Sequence, residues 1–169
     1  MIIDLTGLLD KTVYKIDFKK ELNMKSIKAW DREIHLEKPI RVNGEVYKTD
    51  DGLYLNANIS VEYNKDCDRC LKTFSDKIET VLSGRLVDKS RSDESLEEDD
   101  ILVSFDGDEV DIEEHVLSTV LLSLPMKSVC SEDCKGLCPT CGNDLNEGQC
   151  DCDDHNIDPR LAKLKELLD

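Results

Sequence analysis

The chain has 169 residues, with 22 Lys plus Arg against 38 Asp plus Glu and a formal net charge of −16. A field of that sign repels phosphate and disfavours the non-specific nucleic-acid binding that basic contacts drive, so basic proteins are the expected direct partners. The length suits one domain with an attached module, large enough to bury a core without covalent help, and no stretch approaches the roughly 18 apolar residues of a membrane span.

In chain order, the opening Met1–Asp10 places Asp4 where a secretory leader carries basic residues, so no signal peptide is expected and the reducing cytoplasm is the expected compartment. Ile3, Leu5, Leu8 and Leu9 fit one face of a short helix. Lys11 to Lys38 is polar and Lys-rich with little period, and Trp30 within it reads as a core anchor. Ile40 and Val42 lead through Asn43-Gly44 to Val46 and Tyr47, the pattern of a hairpin with an Asn-Gly turn. Asp50-Asp51-Gly52 is a second turn signal. From Leu53 the alternation is regular: Leu53, Leu55, Ala57, Ile59, Val61 and Tyr63 on one face and Tyr54, Asn56, Asn58, Ser60 and Glu62 on the other, a half-buried antiparallel strand.

A further strand is expected from Leu71 to Val87, with Gly84 marking a bulge. Residues 90–100 are dominated by acids and read as a solvated loop. Ile101–Phe105, Asp106-Gly107 and Glu109-Val110 predict a short hairpin. Asp111 with Glu114 forms a capping box for a helix whose apolar face is Ile112, Val116, Leu117, Val120, Leu121 and Leu124, stopped by Pro125. Asp158-Pro159 starts a terminal helix. The expected class is α+β: an antiparallel β-sheet or partly open β-barrel core with one packed helix, then a C-terminal Cys-rich zinc module and a terminal helix. Residues 1–125 are expected to form the β-rich core with the acidic loop 90–100, and residues 126–169 the Cys-rich tail module packed on it.

Eight cysteines carry the chemistry: Cys67 and Cys70 mid-chain, then Cys130, Cys134, Cys138, Cys141, Cys150 and Cys152. In a reducing compartment such pairs bind metal or do redox work, and eight thiolates satisfy two tetrahedral zinc ions with none left over. Four metal-bound thiolates add two negative charges per site, taking the chain to about −20. Cys138-Pro-Thr-Cys141-Gly142 is a zinc knuckle in which glycine takes a positive φ. Loop length groups Cys138 and Cys141 with Cys150 and Cys152, leaving Cys130 and Cys134 to join Cys67 and Cys70. Pairing the two Cys-x-x-Cys knuckles with each other is an open alternative, since four pairs divide in three ways. His155 could replace one thiolate as a ligand.

The rival to a structural role is an enzyme, either a thiol oxidoreductase or an RNA-processing factor. A redox cysteine sits at a helix N-terminus, and Gly142–Gly148 is a poor helix. No Gly-rich phosphate loop and no Ser/His/Asp or Cys/His arrangement is recognisable, so no catalytic residue and no small-molecule substrate are assigned. His35 and His115 read as surface or cap residues. Arg69 and Lys135, inside the Cys-rich turns, read first as structural and second as phosphate contacts, and Arg85, Lys89 and Arg91 as a solvated strand end.

The string Leu124-Pro-Met-Lys-Ser-Val-Cys130-Ser-Glu-Asp-Cys134-Lys-Gly-Leu-Cys138-Pro-Thr-Cys141-Gly-Asn-Asp-Leu-Asn146, with Cys150-Asp-Cys152, Asp158-Pro-Arg-Leu161 and the earlier Cys67-Asp-Arg-Cys70-Leu71, resembles the YceD family of bacterial and plastid proteins. That resemblance implies a non-enzymatic cytoplasmic role in accumulation of large-subunit (23S) ribosomal RNA. The implied partner is the large-subunit precursor, met through a basic ribosomal protein or structured rRNA.

Overall fold

The computed structural model describes residues 1–29, 32–89 and 101–152. Trp30, Arg91, the acidic loop 90–100, His155 and the terminal helix from Asp158 lie outside the described residues. Seven strands form the main sheet: β2 (Lys15–Leu22), β3 (Ser26–Ala29), β4 (Arg32–Leu36), β5 (Ile40–Thr49), β6 (Gly52–Asp66), β7 (Thr73–Asp88) and β8 (Leu102–Phe105). A small second sheet pairs β1 (Ile2–Asp4) with β9 (Glu109–Asp111). Two helices join them, α1 (Thr6–Leu9) and α2 (Glu113–Ser123).

β6 is the axis of the sheet. It pairs antiparallel with β5 over most of its length and with β4 at its far end, while β7 takes another pairing. β2 lies on β5 and β3 on β4, both antiparallel, so β2 and β3 are edges and the sheet is not closed into a barrel. The alternation read from Leu53 to Tyr63 holds residue for residue: the odd positions are all buried and the even ones are exposed or half-buried. Against that face lie Ile40, Val42 and Val46 of β5, Ile78, Leu82 and Leu86 of β7, and Val116 and Val120 of α2, in one cluster with Ile3, Leu5 and Leu8. Burial of apolar area on this scale is the main favourable term in folding. Among the described residues, no helix is long and apolar enough to cross a membrane.

Several local expectations are corrected. Asn43-Gly44 is no turn, because β5 runs straight through it, Gly44 pairing with Phe18 on one side and Ala57 on the other. Glycine is required there by crowding: a Cβ would lie 2.5 Å from the Asn56 carbonyl oxygen and 2.7 Å from the Ala57 Cα. The reversal comes at Asp50-Asp51-Gly52, where Thr49 pairs with Gly52 and the Arg85 guanidinium donates to the Asp51 carbonyl at 2.8 Å. Arg85 is therefore a half-buried clamp on this turn rather than a free strand end, whereas Lys89 is exposed. Gly84 likewise marks a close approach, its missing Cβ leaving room for the Ile101 carbonyl.

The Lys-rich stretch holds β2, β3 and β4; β2 is hidden from the period because it is an edge strand in which only Phe18 is buried, and β3 and β4 because they are only four and five residues long. Exposed lysines are a common protection of such edges against pairing with another chain. The predicted opening helix is split, since Ile2–Asp4 finds a ladder partner in β9 and only the single turn of α1 remains helical. The predicted 101–110 hairpin also fails as drawn. β8 pairs parallel with β7, using the intervening segment as the long connection a parallel pair needs, and β9 pairs with β1. Only the Asp106–Glu109 bridge survives from it. The N-cap position of α2 is Ile112 rather than Asp111; one residue earlier, the Asp111 carboxylate accepts the Glu113 N–H at 3.0 Å and the Met1 ammonium at 2.6 Å in place of a Glu114 capping box. The helix ends at Ser123 with Leu124 extended, ahead of Pro125.

The chain forms two compact units, one of Met1–Lys65 with Phe74–Met126, the other of Asp66–Thr73 with the described residues from Lys127 on. The segment linking β6 to β7 thus belongs to the Cys-rich unit.

Gly44→Ala should lower the denaturant midpoint of the sheet unit by an amount equivalent to roughly 1–3 kcal/mol, the usual cost of forcing atoms into a packed interior. Gly148→Ala, whose Cβ meets nothing within 4 Å, is the control expected to change stability by no more than about 0.5 kcal/mol.

Candidate metal centres

Two short turns with one geometry open the two sites. In Cys67-Asp-Arg-Cys70-Leu71 the Leu71 N–H returns to the Cys67 carbonyl at 2.9 Å, and in Cys138-Pro-Thr-Cys141-Gly142 the Gly142 N–H returns to the Cys138 carbonyl at 2.9 Å. The residue after the second cysteine takes a positive φ in both, +59° at Leu71 and +77° at Gly142. Glycine does this without a Cβ penalty, whereas leucine does it at a cost on the order of 1–2 kcal/mol. Such turns point backbone N–H groups at sulfur: Arg69 N–H lies 3.4 Å from the Cys67 Sγ.

The structure gathers the eight cysteines as two groups of four, Cys67, Cys70, Cys130 and Cys134 in one and Cys138, Cys141, Cys150 and Cys152 in the other, the sulfurs of each within 4.8 Å of one another. Of the three possible divisions of the pairs, this is the one that loop length favoured. None of the eight is in a disulfide. Cys67 and Cys134 Sγ are 3.8 Å apart, and Cys70 and Cys130 Sγ 3.7 Å. A tetrahedron with metal–sulfur bonds of about 2.3 Å has edges of about 3.8 Å.

The first group is the more enclosed, with Cys67, Cys70 and Cys134 buried. Its turns are tied by backbone and side-chain bonds that sequence reasoning did not single out. Asp68 N–H donates to the Ser128 carbonyl at 2.8 Å while the Asp68 carboxylate accepts the Ser128 N–H at 2.7 Å. The Arg69 guanidinium donates to the carbonyls of Glu132, at 3.1 Å, and Cys134, at 2.8 Å, and Leu137 N–H donates back to the Arg69 carbonyl. Arg69 is thus a staple through carbonyls, the structural one of its two readings. Gly136, at φ +77°, lets the chain pass Arg69, whose carbonyl oxygen would sit 3.0 Å from an added Cβ. Lys135 is exposed, and its N–H is held by the Asn146 side chain at 2.8 Å. His35 and His115 fall outside both groups. In the second group Cys138 is buried, Cys150 and Cys152 half-buried and Cys141 exposed.

The electrostatics of each group follow from sulfurs crowded together and from the backbone N–H groups aimed at them. Burial alone would raise the Cys67 thiol, but the N–H groups of Cys130, Cys70 and Arg69 outweigh it and bring it down to about 6. Burial, then the sulfurs of Cys134, Cys70 and Cys67, push Cys130 up to about 12. In the second group the N–H groups of Cys141 and Thr140 lower Cys138 to about 6, while the Cys141 sulfur and then burial raise Cys152 to about 12. One thiolate forms readily in each group and the last is strongly opposed. The donor set is therefore all sulfur, at the spacing of a single ion, and short of positive charge: it fits one divalent soft or borderline ion per group. A multi-iron cluster would hold its thiolates farther apart.

Because protons compete with metal for these thiols, affinity should fall as pH falls. With Cys67 and Cys138 brought down to about 6 while Cys70, Cys130, Cys150 and Cys152 are pushed up, each divalent ion should displace protons from the raised thiols, about two per group at pH 7. Calorimetric titration in buffers of different ionisation enthalpy reads that number, and a value near zero would contradict the assignment of these thiols as ligands.

A family model described as "Large ribosomal RNA subunit accumulation protein YceD" matches residues 55–168. An uncharacterized protein of Mycobacterium tuberculosis is 31% identical, across 80% of this chain and 73% of its own length. The uncharacterized protein YlbN of Bacillus subtilis is 29% identical across 95% of this chain and 91% of its own. A chloroplastic protein of Arabidopsis thaliana named as a YCED homolog for large ribosomal RNA subunit accumulation is 36% identical, across 35% of this chain and 18% of its own length. No solved structure matches. The model match takes in β6 from Leu55 on, β7, α2 and all eight cysteines, and on that match the chain belongs to the YceD family.

Proposed function

We propose that this protein is a non-enzymatic factor that promotes accumulation of large-subunit (23S) ribosomal RNA, and that its eight cysteines hold two structural zinc ions. The observation that carries the reading is the division of the eight thiols into two groups of four at single-ion spacing, in a chain of a family named for that RNA. Four thiolates fill a tetrahedron and leave no position for water or substrate, which is the pattern of structural rather than catalytic zinc. The turn at Cys138 is set in no helix, so its low-lying thiol lacks the helix N-terminus that redox cysteines use.

The zinc would supply folding free energy to the Cys-rich unit directly, since a ligand set of this kind does not preform in an unfolded chain. Cys67, Cys70, Cys130 and Cys134 would hold one ion, and Cys138, Cys141, Cys150 and Cys152 the other. What the fixed turns then present is a surface. The net charge of −16 favours a basic ribosomal protein over bare rRNA as the contact on the large-subunit precursor, in the cytoplasm.

The purified, reduced chain should contain about two zinc ions by elemental analysis, and less than one with all thiols freely titratable would sink the zinc half of the reading. Loss of the protein from cells should lower mature large-subunit RNA relative to small-subunit RNA at unchanged transcription. An unaltered ratio would sink the other half. Cross-linking and recovery of the tagged protein from growing cells should return a basic large-subunit protein; recovery of rRNA alone would replace that partner.

A further inference from the structure

Resting on the zinc reading, we propose that the two sites load cooperatively and that Asn146 is the positioning residue that couples them. Asn146 belongs by chain position to the second site, in the loop from Cys141 to Cys150 that closing that site would fix. By contact it belongs to the first, its Nδ2 lying 3.5 Å from the Cys134 Sγ.

The orientation of the amide is determined by its partners. Its Oδ1 accepts the Lys135 N–H at 2.8 Å, so its nitrogen must be the group facing sulfur, and the same nitrogen donates to the Asp144 carboxylate at 2.6 Å. Asp144 in turn accepts the Asn146 N–H at 2.9 Å. The loop is laid along the chain between the sites by Cys138 N–H on the Asn143 carbonyl at 2.8 Å, Leu145 N–H on the Gly136 carbonyl at 2.9 Å and the Leu137–Asp144 bridge. An N–H aimed at a ligand sulfur adds a hydrogen bond behind that ligand, and hydrogen bonds behind metal ligands typically change affinity by about 10–100-fold. With the second site empty, the loop is released and this donor is withdrawn from Cys134. Two filled four-thiolate sites repel each other, so without Asn146 the coupling should vanish or reverse.

The test uses the full-length chain and cobalt(II), read by thiolate-to-metal charge-transfer absorbance in competition with a chelator of known affinity. Cys67→Ser with Cys70→Ser leaves the second site, and Cys150→Ser with Cys152→Ser leaves the first. The product of the two stepwise affinities of the unmodified chain should exceed the product of the isolated ones by about 10-fold. Asn146→Ala and the nearly isosteric Asn146→Asp, which sets an anion where the donor was, should each bring that ratio to one or below. Should a cysteine variant misfold, chelator removal from chains with all eight cysteines still decides. The two ions should leave the unmodified chain in one concerted phase and Asn146→Ala in two. A ratio of one in the unmodified chain, a ratio untouched by both Asn146 variants, or identical release phases would overturn the coupling. An unmodified chain that takes up no cobalt at all would overturn the metal reading beneath it, and that outcome is distinct from two ions bound independently.

Discussion

Four sulfurs within 4.8 Å of one another cannot all be charged unless something positive sits among them, and both groups of the Cys-rich unit face that constraint. The surrounding donors meet only part of it. N–H groups converge on Cys67 and Cys138 and bring those thiols to about 6, while their cluster mates Cys130 and Cys152 are driven to about 12. Arg69, a cation inside the Cys67–Cys70 turn, donates its guanidinium to the Glu132 and Cys134 carbonyls. The fold uses its own side chains to fix the turns, and places the four thiols of each group where one cation could balance them.

The two turns show how strongly that geometry is imposed. Gly142 enters the positive-φ position at little cost, whereas Leu71 occupies the same position with its side chain largely exposed. Nothing in the burial of Leu71 repays the strain, so the repayment lies in the turn itself, through the bond to the Cys67 carbonyl and the N–H groups it directs at sulfur.

How much of this was legible follows the physics of each signal. The inner face of β6 was readable because period-2 alternation and burial report the same thing in a central strand. β2 was not, because an edge strand with one buried residue has no period to read, and its partner is chosen by the ladder on β5. Asn43-Gly44 misled because the glycine answers to an approaching carbonyl and not to a turn, a distinction that exists only once Asn56 is in place. The parallel β7–β8 pairing was hidden for the same reason. In the site, the eight cysteines stood out by their spacing, which favoured the observed grouping but left the other divisions of the pairs open, since spacing alone does not say which turns meet. Asn146 and the Asp68–Ser128 pair did not, because an amide behind a sulfur leaves no mark that separates it from any other loop residue.

Where the family match begins bears on where function resides. It starts at residue 55 and so leaves out β1 to β5, while the Mycobacterium tuberculosis relative aligns across 80% of the chain. The matched part is thus β6 from Leu55 on, the strands β7 to β9, α2 and the cysteine turns, whereas β2 and β5 lie outside it and contribute Phe18, Ile40, Val42 and Val46 to the core. A four-thiolate zinc site of the kind proposed would leave no position for substrate, and two of them in one small unit would chiefly make its surface rigid. Rigidity has value for recognition because side chains already ordered lose less entropy on binding. On the function proposed above, the matched segment would serve as a preorganised contact face rather than a reaction centre, and the chain's net charge of −16 would favour a partner of opposite sign.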